Sequence, residues 1–194
     1  MRKEIREALH KFIDQFEHLD GVRMVKDEEV NLKIINLACF VAIGRCAVDR
    51  DRYSQALQYT PMPEGTPRLV KQFMQIGAGI ALAHGRDIID GDVYQVLKKI
   101  GRDLLATQRL RVLEYLWREG VFEADGMWDN TPRIADAVNL PGQTAKMTLE
   151  DLMVVGALKR QRGDAGDLGG QRPYQWQIAD DMADYIHAAG VCDE

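Results

Sequence analysis

Residues 131–178 carry the pattern that most restricts how this chain can fold. Ile134, Ala135, Val138 and Leu140 line the inner face of a short helix, and residues 139–142, Asn-Leu-Pro-Gly, supply turn chemistry. A second helical run follows, with Ala145, Leu149, Leu152 and Met153 at helical spacing. After Gly156 the period changes towards two. Leu158, Arg160 and Arg162, then Tyr174, Trp176 and Ile178, read as two strands flanking the glycine-rich loop 163–170. Two short helices across a tight turn form a helix-turn-helix unit, and here a β-hairpin completes it.

The residues that carry a family resemblance lie in the same stretch. Pro132-x-Ile134-Ala135-x-Ala137-x-x-Leu140-Pro141 leads into Thr144, then Leu149-x-Asp151-Leu152 and Gly156-Ala157-Leu158. This resembles winged-helix DNA-binding domains. The resemblance implies that the second helix enters the major groove and that the hairpin, the wing, lies on the phosphate backbone. Position by position, Gln143, Thr144, Lys146 and Met147 then begin the recognition helix, while Arg160, Arg162 and Arg172 sit on or beside the wing. The chemistry suits the role, because Gln and Lys address base edges or phosphates and a helix N-terminus offers free N–H groups. Glu150 and Asp151 stand only a turn further on, which keeps open a winged helix that docks a protein and never touches DNA.

Composition sets wider bounds. A chain of 194 residues suffices for one large or two small domains, each with a core. A net charge of −5 argues against coating nucleic acid by bulk charge, although local cationic patches still bind phosphates at short range. Cys39, Cys46 and Cys192 form no close-spaced pair; Cys39 and Cys46, seven apart in an apolar run, are expected on one buried helix face as reduced thiols. The opening Met1-Arg2-Lys3-Glu4 begins a charged amphipathic pattern rather than a secretory signal. The apolar run 37–43 is far shorter than the roughly 20 residues a membrane span needs. A cytoplasmic protein with no membrane partner is expected.

In chain order, Ile5, Leu9, Phe12, Phe16 and Leu19 mark a first amphipathic helix. Asp27 caps a second, running to about Arg45. The charged run 49–53 reads as a solvated connection with local ion pairs. Pro61, Pro63 and Pro67 stiffen a linker into the next helix, with Thr66 as N-cap and Pro67 in the first turn. Gly77 and Gly79 fall inside that helix, where close packing of a neighbouring helix accounts for them. Asp90 caps another helix, and one long helix is expected over residues 103–119 before a loop or short strand at Trp128. A last helix spans 180–189.

A second resemblance covers the helical part. Thr66-Pro67-Arg68-Leu69-x-Lys71-Gln72 opens a helix, and Ala81-x-x-His84-Gly85-Arg86-Asp87-Ile88-Ile89 ends it ahead of Asp92-Val93. This layout, leading into a winged helix, is similar to the carboxyl-terminal end of AAA+ ATPases such as minichromosome-maintenance helicases and archaeal replication initiators. The resemblance implies a helical lid in which Arg68 reaches the γ-phosphate of ATP. The chain departs from the pattern in lacking Gly-x-x-x-x-Gly-Lys-Ser/Thr and a strand ending in paired acids. No cofactor and no catalysis are therefore expected of these residues alone. His10, His18, His84 and His187 show no metal-ligand spacing.

The expected architecture is mainly α: a helical bundle over 1–100, a winged helix-turn-helix domain with a small β-hairpin wing over 101–189, and a frayed tail over 190–194. The expected function is binding of double-stranded DNA, as the carboxyl-terminal part of a replication or mobile-element AAA+ ATPase whose P-loop domain lies upstream. Two alternatives stay open. One is a stand-alone transcriptional regulator whose bundle pairs with a second copy, and the other is the protein-docking winged helix.

Overall fold

Asp27 opens the first helix of the computed structural model. Its carboxylate accepts from the N–H groups of Glu29 and Val30 at 3.0 and 3.1 Å, satisfying two donors that have no intrahelical acceptor. The structure describes residues 27–54, 56–122, 127–163 and 173–193, so the helix expected over residues 5–19 lies outside it. Helix α1, Glu28–Gly44, buries Ile34, Leu37, Phe40 and Val41 completely. Each such side chain contributes roughly 1.5–3 kcal/mol by leaving water. Cys46 falls beyond the end of α1 and is buried there, whereas Cys39 on the helix is half-buried, so the two thiols do not share a helix face.

Helix α2, Thr66–Ala83, packs on α1 with Leu69 and Phe73. Thr66 is its first residue and not its cap. Gly65 holds the cap position in extended backbone, and the Thr66 hydroxyl turns towards Cys39, with Oγ1 4.0 Å from Sγ. The two helical glycines differ. A Cβ on Gly77 would meet Ile89 and Leu97 at 3.1 Å, while one on Gly79 would meet nothing within 4 Å. Close packing thus accounts for Gly77 alone.

Helix α3, Gly91–Asp103, starts at Asp90, whose carboxylate accepts from the Val93 N–H at 3.1 Å. The long helix expected over 103–119 is interrupted. Helix α4 runs only from Thr107 to Arg118, because Leu105 leaves the helical path and buries its side chain against Gly44, where a Cβ would lie 2.5 Å from Leu105 Cδ2.

A short strand β1, Asp129–Asn130, leads directly into α5, Thr131–Ala137, and α6, Gly142–Val154. Strands β2, Leu158–Arg162, and β3, Tyr174–Ile178, follow, and the three strands form an antiparallel sheet in the order β1-β3-β2. Helix α7, Asp180–Ala189, then returns to lie along α1. Among the described residues the protein is thus mainly helical, with one small sheet.

One hydrophobic core runs without a break from Val30 on α1 to Val191 beyond α7. The segment after α7, expected to fray, is anchored up to residue 193. Val191 is fully buried, and the Lys98 ammonium and Arg102 guanidinium donate to the carbonyls of Gly190 and Val191 at 3.2 and 3.4 Å. No helix among the described residues is long and apolar enough to cross a membrane.

Candidate nucleic-acid interface

The turn between α5 and α6 is set by backbone chemistry. Asn130 caps α5 by accepting from the Arg133 N–H at 3.0 Å, and Pro132 suits the first turn because it needs no donor there. At the other end Asn139 takes a left-handed conformation, φ +52°, which asparagine tolerates better than most residues. The chain reverses, the Leu140 N–H donates to the Ala135 carbonyl at 2.9 Å, and Pro141 starts α6. No side chain caps that start, so the first-turn N–H groups lie open.

Helix α6 divides by face. Ala145, Thr148, Leu149 and Leu152 are buried against α4 and α5. Gln143, Lys146, Met147 and Glu150 fall within an arc of about 100° on the opposite side. Gln143 and Lys146 are exposed, and Thr144 and Met147 are half-buried. Four of the expected contact residues therefore sit on or beside the outward half of one helix turn and a half.

The hairpin also sorts its charges by face. Leu158 pairs with Ile178, Arg160 with Trp176 and Arg162 with Tyr174, so these six side chains share one face. The inner end of that face, Leu158, Trp176 and Ile178, is buried in the common core, and the Trp176 indole N–H donates to the Thr131 hydroxyl at 2.8 Å. Arg160 and Arg162 continue the same face outwards and are exposed. The Arg160 guanidinium lies over the Tyr174 ring, 4.4 Å from its centroid, with Trp176 at 5.8 Å. Such stacking is worth about 0.5–1 kcal/mol at an exposed site and holds the charge in place.

Lys159 is on the other face and is engaged by Asp180 at 2.5 Å, so it is a poor phosphate ligand. Arg172 lies outside the described residues.

Below this surface Asp129 is buried beside α5. Its carboxylate accepts from the Tyr115 hydroxyl at 2.7 Å, and Arg133 approaches to 3.7 Å. Burial, reinforced by that hydrogen bond, pushes the Tyr115 phenol up to about 12. The contact ties α4 to β1 and thereby fixes where α5 begins.

Arg68 is not part of this surface. It lies in the first turn of α2, is 71% exposed and pairs with Glu64 at 3.0 Å. No group of three or more His, Cys, Asp or Glu among the described residues is placed to hold a metal ion.

Two arginines that sequence reasoning assigned no role converge on the carboxyl-terminal half of α6. Arg50 Nη2 reaches Asp151 at 2.8 Å and Glu150 at 3.6 Å, and Arg109 Nη2 reaches Asp151 at 3.6 Å. Arg109 also donates to the carbonyls of Gly44 and Cys46 at 3.0 and 2.6 Å, closing the carboxyl end of α1. The run 49–53 is thus not merely a solvated connection, since its Arg50 bridges to a helix about a hundred positions later. Compared with known proteins, the chain gives no significant match to a family model, a curated protein or a solved structure.

Proposed function

We propose that the unit from α4 to β3 is a winged helix-turn-helix that binds duplex DNA. In this reading the amino-terminal half of α6 enters the major groove, and Arg160 and Arg162 lie against the phosphate backbone. One observation carries it. The exposed Gln143 and Lys146 at an uncapped helix start share the same body with two arginines on the helix-facing side of the neighbouring hairpin. Among the described residues, no carboxylate pairs with either arginine.

Fluorescence anisotropy with a labelled duplex, at low and at physiological salt, tests the proposal. Binding should weaken steeply as salt rises, as expected for phosphate contacts. Arg160→Ala with Arg162→Ala should weaken binding on every sequence and lower the salt slope by about two. Gln143→Ala or Lys146→Ala should instead change preference among duplexes. No binding to any duplex at low salt would overturn the proposal and favour a protein-docking surface.

The resemblance to AAA+ carboxyl-terminal regions extends the proposal to the helical part. There Arg68, at the exposed start of α2, would address the γ-phosphate of a nucleotide held by a preceding ATPase domain. In a chain carrying such a domain, Arg68→Ala should slow ATP turnover and leave DNA affinity unchanged. Unchanged turnover would remove Arg68 from the nucleotide site.

A further inference from the structure

The end of α3, the carboxyl-terminal half of α4 and the segment after α7 border a cavity of about 450 Å³, lined by Arg102, Glu114, Trp117, Arg118 and Cys192. That volume is in the range of sites for small organic molecules.

Most of the lining is already held. The half-buried Trp117 ring stacks on Phe122, with centroids 4.2 Å apart and planes 16° apart, so it forms a fixed flat wall. Arg102 pairs with Glu114 and donates to the Val191 carbonyl at 3.4 Å. Burial raises the Cys192 pKa, which leaves that side chain a neutral thiol. Lys98 and Asp193 also act on the thiol, in opposite directions, and both stand outside the lining. Arg118 differs from the rest. It is exposed, and among the described residues no carboxylate or carbonyl engages its guanidinium. With Glu114 answered by Arg102, the lining carries one positive charge in excess, and that charge is on Arg118.

We propose that this cavity binds a small organic monocarboxylate with a flat apolar body, its carboxylate on the Arg118 guanidinium and its body against Trp117. A guanidinium presents parallel N–H donors that match a carboxylate in both geometry and charge. A phosphate monoester brings a second negative charge, which finds no free cation in the lining and meets the Glu114 carboxylate. The site is independent of DNA binding, so it stands or falls by itself.

The full chain is titrated calorimetrically with benzoate, phenyl phosphate and benzamidine, which share a ring and differ in charge. Benzoate should bind with a Kd on the order of 1 mM, as befits so small a ligand. Phenyl phosphate should bind at least about threefold more weakly, and the cationic benzamidine not at all. Arg118→Gln should weaken benzoate binding about tenfold, and Arg118→Lys by less, because an ammonium keeps the charge and loses the paired donors. Both variants should melt with the parent, since the side chain is exposed and unpaired. Saturating benzoate should also slow alkylation of Cys192 by iodoacetamide, read by peptide mass mapping, and leave Cys39 on α1 unaffected. Absence of benzoate binding up to about ten times the expected Kd would overturn the proposal. Parent-like affinity in Arg118→Gln, or an unprotected Cys192, would overturn it by placing the ligand elsewhere. Tighter binding of phenyl phosphate than of benzoate would overturn the assignment to a monocarboxylate.

Discussion

Tyr94 donates its phenolic hydrogen to the carbonyl of Ala189 at 2.6 Å, in the buried seam where α3 meets the end of α7. The same hydroxyl lies 3.4 Å from the Lys33 carbonyl on α1, so one side chain joins three helices. Burial raises the Tyr94 pKa, as expected for a phenol taken out of water. Tyr94→Phe keeps the ring but leaves the Ala189 carbonyl without this donor. It should destabilise the fold by about 1 kcal/mol, read by urea denaturation. An unchanged midpoint would mean that water replaces the hydroxyl.

The anchored end of the chain makes stability sensitive to alkali. Burial, with help from the Glu114 carboxylate, pushes the Cys192 thiol up to about 12, against the opposing influence of Arg102. The neutral thiol is therefore favoured in the folded state. Its contribution is fully present below about pH 9, where the unfolded thiol ionises, and is lost as pH rises towards 12. Thermal unfolding should fall over that window, and Cys192→Ser should flatten the fall. At pH 8 the Cys192 thiol should react slowly with a disulfide reagent in the folded chain and quickly in urea. Equal rates would contradict the raised pKa.

Two helical glycines should respond oppositely to the same substitution. A Cβ on Gly101 would stand 2.7 Å from Leu37 Cδ1 and 3.3 Å from Val41 Cγ2, and Leu37 is fully buried with nowhere to turn. Gly101→Ala should cost about 1–3 kcal/mol by overpacking the crossing of α1 and α3. Gly79, with nothing within 4 Å, should gain up to about 1 kcal/mol on replacement by alanine, through helix propensity alone. Equal shifts in melting temperature would show that packing does not distinguish them.

What could be read from the sequence was local. The caps at Asp27 and Asp90, the turn at Asn139 and the period-two strands around Trp176 each depend on neighbours within a few positions. Gly65 displaced Thr66 as the cap of α2 because the threonine side chain turns towards Cys39 on another helix, which no helix-start signal reveals. The break before α4 is likewise a tertiary effect, since Leu105 finds a cleft left by Gly44 some sixty positions earlier. Lys159 and Arg160 look equivalent as neighbouring cations. Only the pairing of β2 with β3 shows that one meets Asp180 and the other stacks on Tyr174. Arg50 was hidden for a further reason. Alternating acids and bases usually pair with one another in water, and nothing local singles out the one that reaches α6.

That reach makes the final prediction. Asp151 stands between Arg50 and Arg109, which are 14% and 12% exposed, so removing its charge takes an anionic neighbour from two shielded guanidiniums. Asp151→Asn should destabilise the chain by about 1–2 kcal/mol, less than a fully buried pair because the carboxylate keeps some access to water. Arg50→Ala should cost a similar amount, and the double variant clearly less than the sum, because either change alone breaks the same contact. Arg109 has other work at the Gly44 and Cys46 carbonyls, so Arg109→Ala should remain costly even in the Asp151→Asn background. Urea denaturation of the three single and two double variants measures these couplings. Strict additivity between positions 50 and 151 would show that the loop and α6 are held together by other contacts.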